Sequence, residues 1–167
     1  MIWDRIYEVF KGKSRQLEVI KLLIKYGLSI KNGEIYLNNI RITYSSIASA
    51  LSVDRRVVVE AVKTVEDDDF LREFFMKLKP AGPFLVDVGK LLGYTTLIVV
   101  PYRDQPGIIS SISSILAAEN INIVQVIAEE PHLTDEQKLY IIVEGDIPGT
   151  IINKISKLSF VKNLILG

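Results

Sequence analysis

Thr95-Thr96-Leu97-Ile98-Val99-Val100-Pro101-Tyr102 runs without a charged residue and then breaks at Arg103-Asp104-Gln105-Pro106-Gly107. A short apolar run, rich in β-branched residues and bounded by turn formers, reads as a buried strand. Directly after the Pro-Gly corner, Ile108, Ile109, Ile112, Ile115 and Leu116 recur at helical spacing. Ser110, Ser111, Ser113 and Ser114 occupy the other side, and Asn120 is the stop. That pattern predicts a helix over Ile108–Glu119. Two β-prone stretches follow, Asn122–Ala128 and Lys138–Glu144, then a helical stretch, Gly149–Leu158, and a last strand, Val161–Leu166. The order is βαββαβ. Its most economical arrangement is one antiparallel sheet with both helices on one face, a ferredoxin-like layer.

Working back toward the N-terminus, Pro80-Ala81-Gly82-Pro83 is the clearest break in the chain. We therefore expect a unit at 1–79, a linker at 80–94 and a second unit at 95–167. Residues 84–93 fit either a short helix or a strand. In the first unit Ile2, Ile6, Val9 and Phe10 form a stripe closed by Gly12. A second helix, Ser14–Tyr26, carries Leu17, Ile20, Leu22, Leu23, Ile24 and Tyr26 and stops at Gly27. Ile35-Tyr36-Leu37 and Ile40-Arg41-Ile42 flank Asn38-Asn39, which predicts a small hairpin because asparagine tolerates the positive φ of a two-residue turn. Helical patterns at Ser45–Leu51 and Asp54–Val65 meet at Ser52-Val53, with Asp54 as N-cap. A further helix, Asp67–Lys77, holds Phe70, Leu71, Phe74 and Phe75, with Leu78 just beyond it, and opens on the acids 66–69, which complement a helix N-terminus. The fold class expected for the whole chain is α+β.

Composition narrows the chemistry. The chain has 167 residues, 49% hydrophobic and 24% charged, as in a globular protein. No apolar run is long enough to cross a bilayer, and the start, Met1-Ile2-Trp3-Asp4-Arg5, lacks the layout of a secretory signal. With no cysteine and one histidine, His132, disulfides, thiolate nucleophiles and multi-histidine metal sites are excluded within the chain. We expect a cytoplasmic protein without a metal or cofactor and without a membrane partner. The net charge of zero conceals a gradient: residues 1–65 hold 11 Lys and Arg against 6 Asp and Glu, and the rest hold 9 against 14. The basic end is the candidate for a polyanion.

Ile47-Ala48-Ser49-Ala50-Leu51-Ser52-Val53-Asp54-Arg55-Arg56-Val57-Val58-Val59-Glu60-Ala61-Val62 resembles the helix-turn-helix of DNA-binding regulators. Small residues let the two helices approach, Leu51 and Val53 plug the angle between them, and Val58 and Val62 seat the second helix. Ser52 stands where that family usually has a glycine. The resemblance implies that the second helix enters the major groove with Arg55 and Arg56 on the bases, each arginine fork able to grip a guanine. Lys63 and Arg41 are expected on the backbone. The alternative is a solvated face whose arginines pair with acids such as Glu60.

Residues 95–167 resemble an ACT domain, a small-molecule sensing module. The resemblance rests on the βαββαβ order, on Asp104-Gln105-Pro106-Gly107-Ile108 after the first strand, and on Asn120-Ile121-Asn122-Ile123 before the second. Proline is favoured in a first helical turn, and glycine lets a ligand come close. The resemblance implies an amino-acid effector at a dimer interface. Tyr102, Asp104, Gln105, Gly107 and Ile108 would come from one copy and Asn122 from its partner. Asp104 would accept the ammonium group. An ACT-like module that only dimerises is the alternative.

No nucleophile elbow, P-loop or dinucleotide fingerprint is present. Glu129, Glu130, His132, Asp135 and Glu136 surround a loop, and we read them as surface residues and not as a metal site. No nucleophile–base pair is visible, so a non-enzymatic role is expected. The chain as a whole is similar to archaeal predicted regulators of amino-acid metabolism, a helix-turn-helix followed by an ACT domain. The resemblance implies a homodimer, or a higher homo-oligomer built through the ACT sheets, that binds double-stranded DNA in response to an amino acid. A feedback-sensing subunit of a metabolic enzyme and a plain dimerisation scaffold are the competing roles.

Overall fold

The computed structural model describes residues 2–167, which sort into two units, Met1–Gly82 and Pro83–Gly167. In the first, α1 (Ile2–Val9) and α2 (Ser14–Lys25) lead into three short strands, β1 (Ser29–Lys31), β2 (Glu34–Leu37) and β3 (Ile40–Ile42). Helices α3 (Tyr44–Leu51), α4 (Arg55–Glu66) and α5 (Asp69–Lys77) follow. Helix α4 is the centre of this unit. Its Val58, Ala61, Val62 and Val65 are all buried, about two side chains per turn, facing α2 and α3.

Two stripes differ from the sequence reading. Helix α2 buries Val19, Ile20 and Leu23 and leaves Tyr26 more than half exposed. Tyr26 is the C-cap, one residue beyond the last helical position, where the chain turns away at Gly27. In α5, Leu71 and Phe75 are buried while Phe70 lies largely in solvent. The hairpin expected at 35–42 is the latter part of a three-stranded antiparallel sheet, because Ser29–Lys31 also pairs with Glu34–Tyr36. Asn32 and Gly33, at φ 51° and 72°, supply the positive-φ pair that a tight turn between β1 and β2 demands.

Helices α2 and α3 end on the same device. Leu28 N–H donates to the Leu23 carbonyl (2.8 Å) and Gly27 N–H to that of Ile24 (3.1 Å); Val53 likewise reaches Ala48 (3.0 Å) and Ser52 reaches Ser49 (3.2 Å). This pair of bonds satisfies the orphan carbonyls of a last turn and requires a left-handed residue. Gly27 supplies it in one case. Ser52, at φ 52° and ψ 44°, supplies it in the other.

In the second unit, β4 (Tyr94–Pro101), α7 (Ile108–Ala118), β5 (Ile123–Ala128), β6 (Leu139–Glu144), α8 (Gly149–Ser156) and β7 (Val161–Leu166) realise the βαββαβ order. The strands form one sheet in the order β5-β6-β4-β7, antiparallel throughout. The fold is α+β, with a ferredoxin-like second unit. Leu97 and Val99 of β4 and Leu139, Ile141 and Val143 of β6 meet Ile108, Ile112 and Leu116 of α7 and Ile151 and Ile155 of α8 in one core.

The opposite face of this sheet is covered as well. Residues 84–93, open between helix and strand in the sequence, contain a helical turn, α6 (Val86–Gly89), continued by a 3₁₀ turn over Lys90–Leu92. The Phe84 ring sits edge-on to Tyr140 at 4.9 Å. Gln125 ties the segment down, its Oε1 accepting from the Leu85 amide (3.1 Å) and its Nε2 donating to the Pro83 carbonyl (2.8 Å). Thr96 and Ile142, which are cross-strand neighbours, are buried beneath it. Among the described residues no helix is long and apolar enough to cross a membrane.

Candidate functional site

The Pro-Gly corner is positioned by the strand before it and the helix after it. Tyr102 N–H, just past β4, donates to the Phe160 carbonyl (3.0 Å), and Ile108, at the first position of α7, is buried in the core. Between these anchors Gly107 adopts φ 96°, a conformation open to glycine and costly for other residues. No side chain caps α7. The first N–H groups of a helix have no partner inside it, so those at 108–110 point their positive ends out of the corner.

An open cleft of about 550 Å³ lies beside it. One wall is Pro101, Asp104, Gln105, Pro106 and Gly107 with Ile108, Ile109, Ser110 and Ser113; the other is Ala128, Gln137, Lys138 and Leu139, from the facing ends of β5 and β6. The second wall is set by Glu129. Its main-chain N–H donates to the Lys138 carbonyl (2.9 Å). Its carboxylate accepts from the Lys138 amide (3.1 Å) and the Tyr140 hydroxyl (3.2 Å), and its carbonyl accepts from Gln137 Nε2 (3.0 Å). Burial and the adjacent Glu129 charge raise the Tyr140 phenol above its ordinary value, so it stays a neutral donor. The cleft therefore holds one carboxylate, Asp104, one ammonium, Lys138, the serine hydroxyls and an apolar floor.

Of the six residues expected at an effector site, Asp104, Gln105, Gly107 and Ile108 line the cleft. Tyr102 is 70% exposed and does not line it. Asn122 precedes β5, whereas the cleft meets the other end of that strand at Ala128; its Nδ2 donates to Glu144 Oε2 (3.3 Å). Sequence reasoning missed Lys138, Gln137, Ser110 and Ser113. The two serines showed only as the polar side of α7, and nothing in the local pattern joins residues 137–138 to residue 104.

The acids singled out in the sequence go elsewhere. Glu66 accepts from the Gly33 amide (3.0 Å), Asp68 caps α5 through the Leu71 amide (2.9 Å), and Asp69 pairs with Arg72. Glu136 pairs with Lys162 (2.8 Å), which lowers the carboxyl and raises the ammonium through their shared hydrogen bond. Among the described residues no three His, Asp or Glu side chains gather where they could hold a metal ion.

In the first unit Asp54 caps α4, accepting from the Arg56 amide (2.7 Å). Arg55, Arg56 and Lys63 are exposed along α4, with Val59, 36% exposed, between them. Glu60 accepts from Gln16 Nε2 (3.1 Å) and pairs with neither arginine. The Arg55 guanidinium lies 5.6 Å from the centre of the Tyr44 ring, and the Tyr44 hydroxyl donates to the Gly33 carbonyl. Burial, then the Glu34 charge, raises the Tyr44 phenol above its usual range. Arg41 pairs with Glu34 (2.5 Å). A second cleft, about 320 Å³, is lined by Glu34, Arg41, Thr43, Tyr44, Ser45 and Arg55, among others.

Comparison with known structures gives remote likenesses. A prephenate dehydratase from Staphylococcus aureus is 17% identical with a TM-score of 0.37, covering 44% of this chain and 28% of its own. A homoserine dehydrogenase from Thiobacillus denitrificans is 18% identical at 0.36, covering 72% and 27%. The chain thus spans little more than a quarter of either enzyme. An AsnC family transcriptional regulator from Agrobacterium tumefaciens is 11% identical at 0.30, covering 92% and 86%. No curated protein matches the chain. Residues 96–160, the stretch that carries the Pro-Gly corner and both walls of the larger cleft, match the family model of the ACT domain.

Proposed function

We propose that the chain is an amino-acid-responsive transcription regulator. The second unit takes a free amino acid as effector, and the first grips double-stranded DNA through the exposed side of α4. Two copies associate through their sheets, and the protein is a sensor, not a catalyst. The observation that carries this reading is the pair of opposite charges in the ACT-domain cleft. Asp104 suits an ammonium group, while Lys138 and the N–H groups of the first turn of α7 suit a carboxylate. A zwitterion satisfies both. Among the described residues, Arg56 and Lys63 on α4 form no ion pair that would keep them from a polyanion.

Thermal shift against the twenty amino acids tests the sensor. Ligand at 100 times its Kd adds about 2.7 kcal/mol, and silence from all twenty refutes it. Genome-wide DNA capture with and without mixed amino acids tests the regulator. A competing reading is a feedback-sensing subunit that docks on an enzyme, favoured by Phe70 and Met76, both half exposed on α5. A salt series separates the two, since phosphate contacts make affinity for DNA fall steeply with ionic strength.

A further inference from the structure

We infer that the smaller cleft is a seat for a phosphodiester of the DNA backbone, and that Arg55 grips phosphate there while Arg56 is left to read sequence. The inference rests on the DNA-binding reading and divides the labour of its two arginines. The sequence places them side by side at the start of α4, as equals. The structure does not treat them so. Arg55 lies over the Tyr44 ring at 5.6 Å and lines the cleft together with Arg41, which arrives from β3, a different element.

Tyr44 is itself fixed, partly buried and bonded through its hydroxyl to the Gly33 carbonyl. A guanidinium resting on a fixed aromatic face is pre-oriented, and it keeps its N–H edge for an anion. Two guanidiniums converging on one hollow, with the Ser45 hydroxyl at its edge, match the tetrahedral oxygens of a phosphate. Arg56 does not line this cleft. Its amide is tied to Asp54, but its side chain is exposed and bonds to no other side chain among the described residues.

Glu34 is the opposing charge in the cleft. It holds Arg41 at 2.5 Å and also accepts from the Tyr36 hydroxyl (2.7 Å). The pair is solvent-accessible, with side-chain exposures of 65% and 37%, so it is weak and screened. Arg41 keeps its remaining donors for a phosphate oxygen. Glu34→Gln should therefore tighten binding to every duplex, by roughly two- to fivefold at low salt.

The test combines a salt series on duplex DNA with the side-chain NMR signals of the arginines. In the series, Arg55→Ala and Arg41→Ala should each weaken all sequences alike and flatten the plot of log K against log salt by about 0.9. Arg56→Ala should instead erase preference among sequences. In the NMR arm, thymidine oligonucleotide added to the full chain should move the Nε resonances of Arg41 and Arg55, and Arg55→Ala should abolish the Arg41 response or weaken it severalfold. Loss of sequence preference on Arg55→Ala with an unchanged slope overturns the proposal, as does an oligonucleotide that moves neither resonance. If the resonances move but no duplex is bound at low salt, the phosphate seat stands and the regulator reading falls.

Discussion

Arg5 and Asp68 are joined across 63 residues of chain: Arg5 Nη2 and Nε both donate to Asp68 Oδ2, at 2.6 and 3.0 Å. The same carboxylate caps α5, its other oxygen accepting from the Leu71 amide. Helix α1 is thereby fastened to the start of α5 by a side chain that is only 10% exposed. Burial by itself would raise the Asp68 carboxyl. The Leu71 amide, the Arg5 bonds and charge, and the Phe70 amide outweigh it, and the group is held below the ordinary aspartate range.

The pH consequence has a definite sign. A carboxyl depressed in the folded state stabilises fully above its unfolded value, ~3.9, and that contribution is lost as pH falls through the lower folded value. Urea midpoints should therefore drop below about pH 4 in the parent and drop less in Asp68→Asn. Asp68→Ala, which also removes the cap, should cost about 1–2 kcal/mol near neutrality.

Ser52 carries a left-handed backbone that a side chain disfavours by roughly 1–2 kcal/mol. Ser52→Gly should raise the unfolding free energy by about 1 kcal/mol, and Ser52→Val should lower it. Gly27→Ala is the opposite case. A Cβ there would lie 2.4 Å from the Pro80 nitrogen, so the loss should exceed the backbone cost alone. Equilibrium unfolding of the three variants ranks them.

For the effector cleft, Asp104→Asn and Lys138→Ala should each abolish stabilisation by the amino acid that stabilises the parent. Asp104 is exposed and Lys138 partly so, and the unfolding free energy without ligand should change by no more than about 0.5 kcal/mol. Asn122→Ala discriminates between effector geometries. A site confined to one chain is untouched by it, and a site shared between copies is weakened.

Gln125→Ala removes the acceptor of the Leu85 amide and the donor to the Pro83 carbonyl. Hydrogen exchange at Leu85 should accelerate by tenfold or more, about 1.4 kcal/mol of lost local protection. Exchange in the α7 and α8 core should stay unchanged.

The second unit was legible in the sequence because its elements repeat at clean periods. Ile108, Ile112 and Leu116 mark α7 unambiguously, and Val161–Leu166 is a strand with the bounds expected of it. Strand β1 was not legible. Three residues, Ser29-Ile30-Lys31, give too short an alternation to register, and only the Asn32-Gly33 turn betrayed it. The N-terminal edge of the cleft was visible in Asp104 and Gly107. Lys138 was not, because what brings it beside Asp104 is the pairing of β4 with β6, Val99 opposite Leu139, a contact between distant residues with no local signature. The difference between Arg55 and Arg56 was invisible for the same reason, since Tyr44 lies a turn and a helix upstream.

Strand β5 contains one residue more than its partner requires. Ile123 pairs with Val143 and Gln125 with Ile142, leaving Val124 as a bulge. Ordinary alternation would turn Gln125 to the same side as Ile123, toward the helices. The extra residue inverts the phase of the strand from that point on and delivers an amide to the side where Leu85 and Pro83 await it. Deleting Val124 would only make the ladder regular and leave Gln125 facing Leu85 and Pro83. Flattening the bulge while keeping the residue would instead swap inside for outside along the rest of the strand, as far as Ala128 at the mouth of the effector cleft.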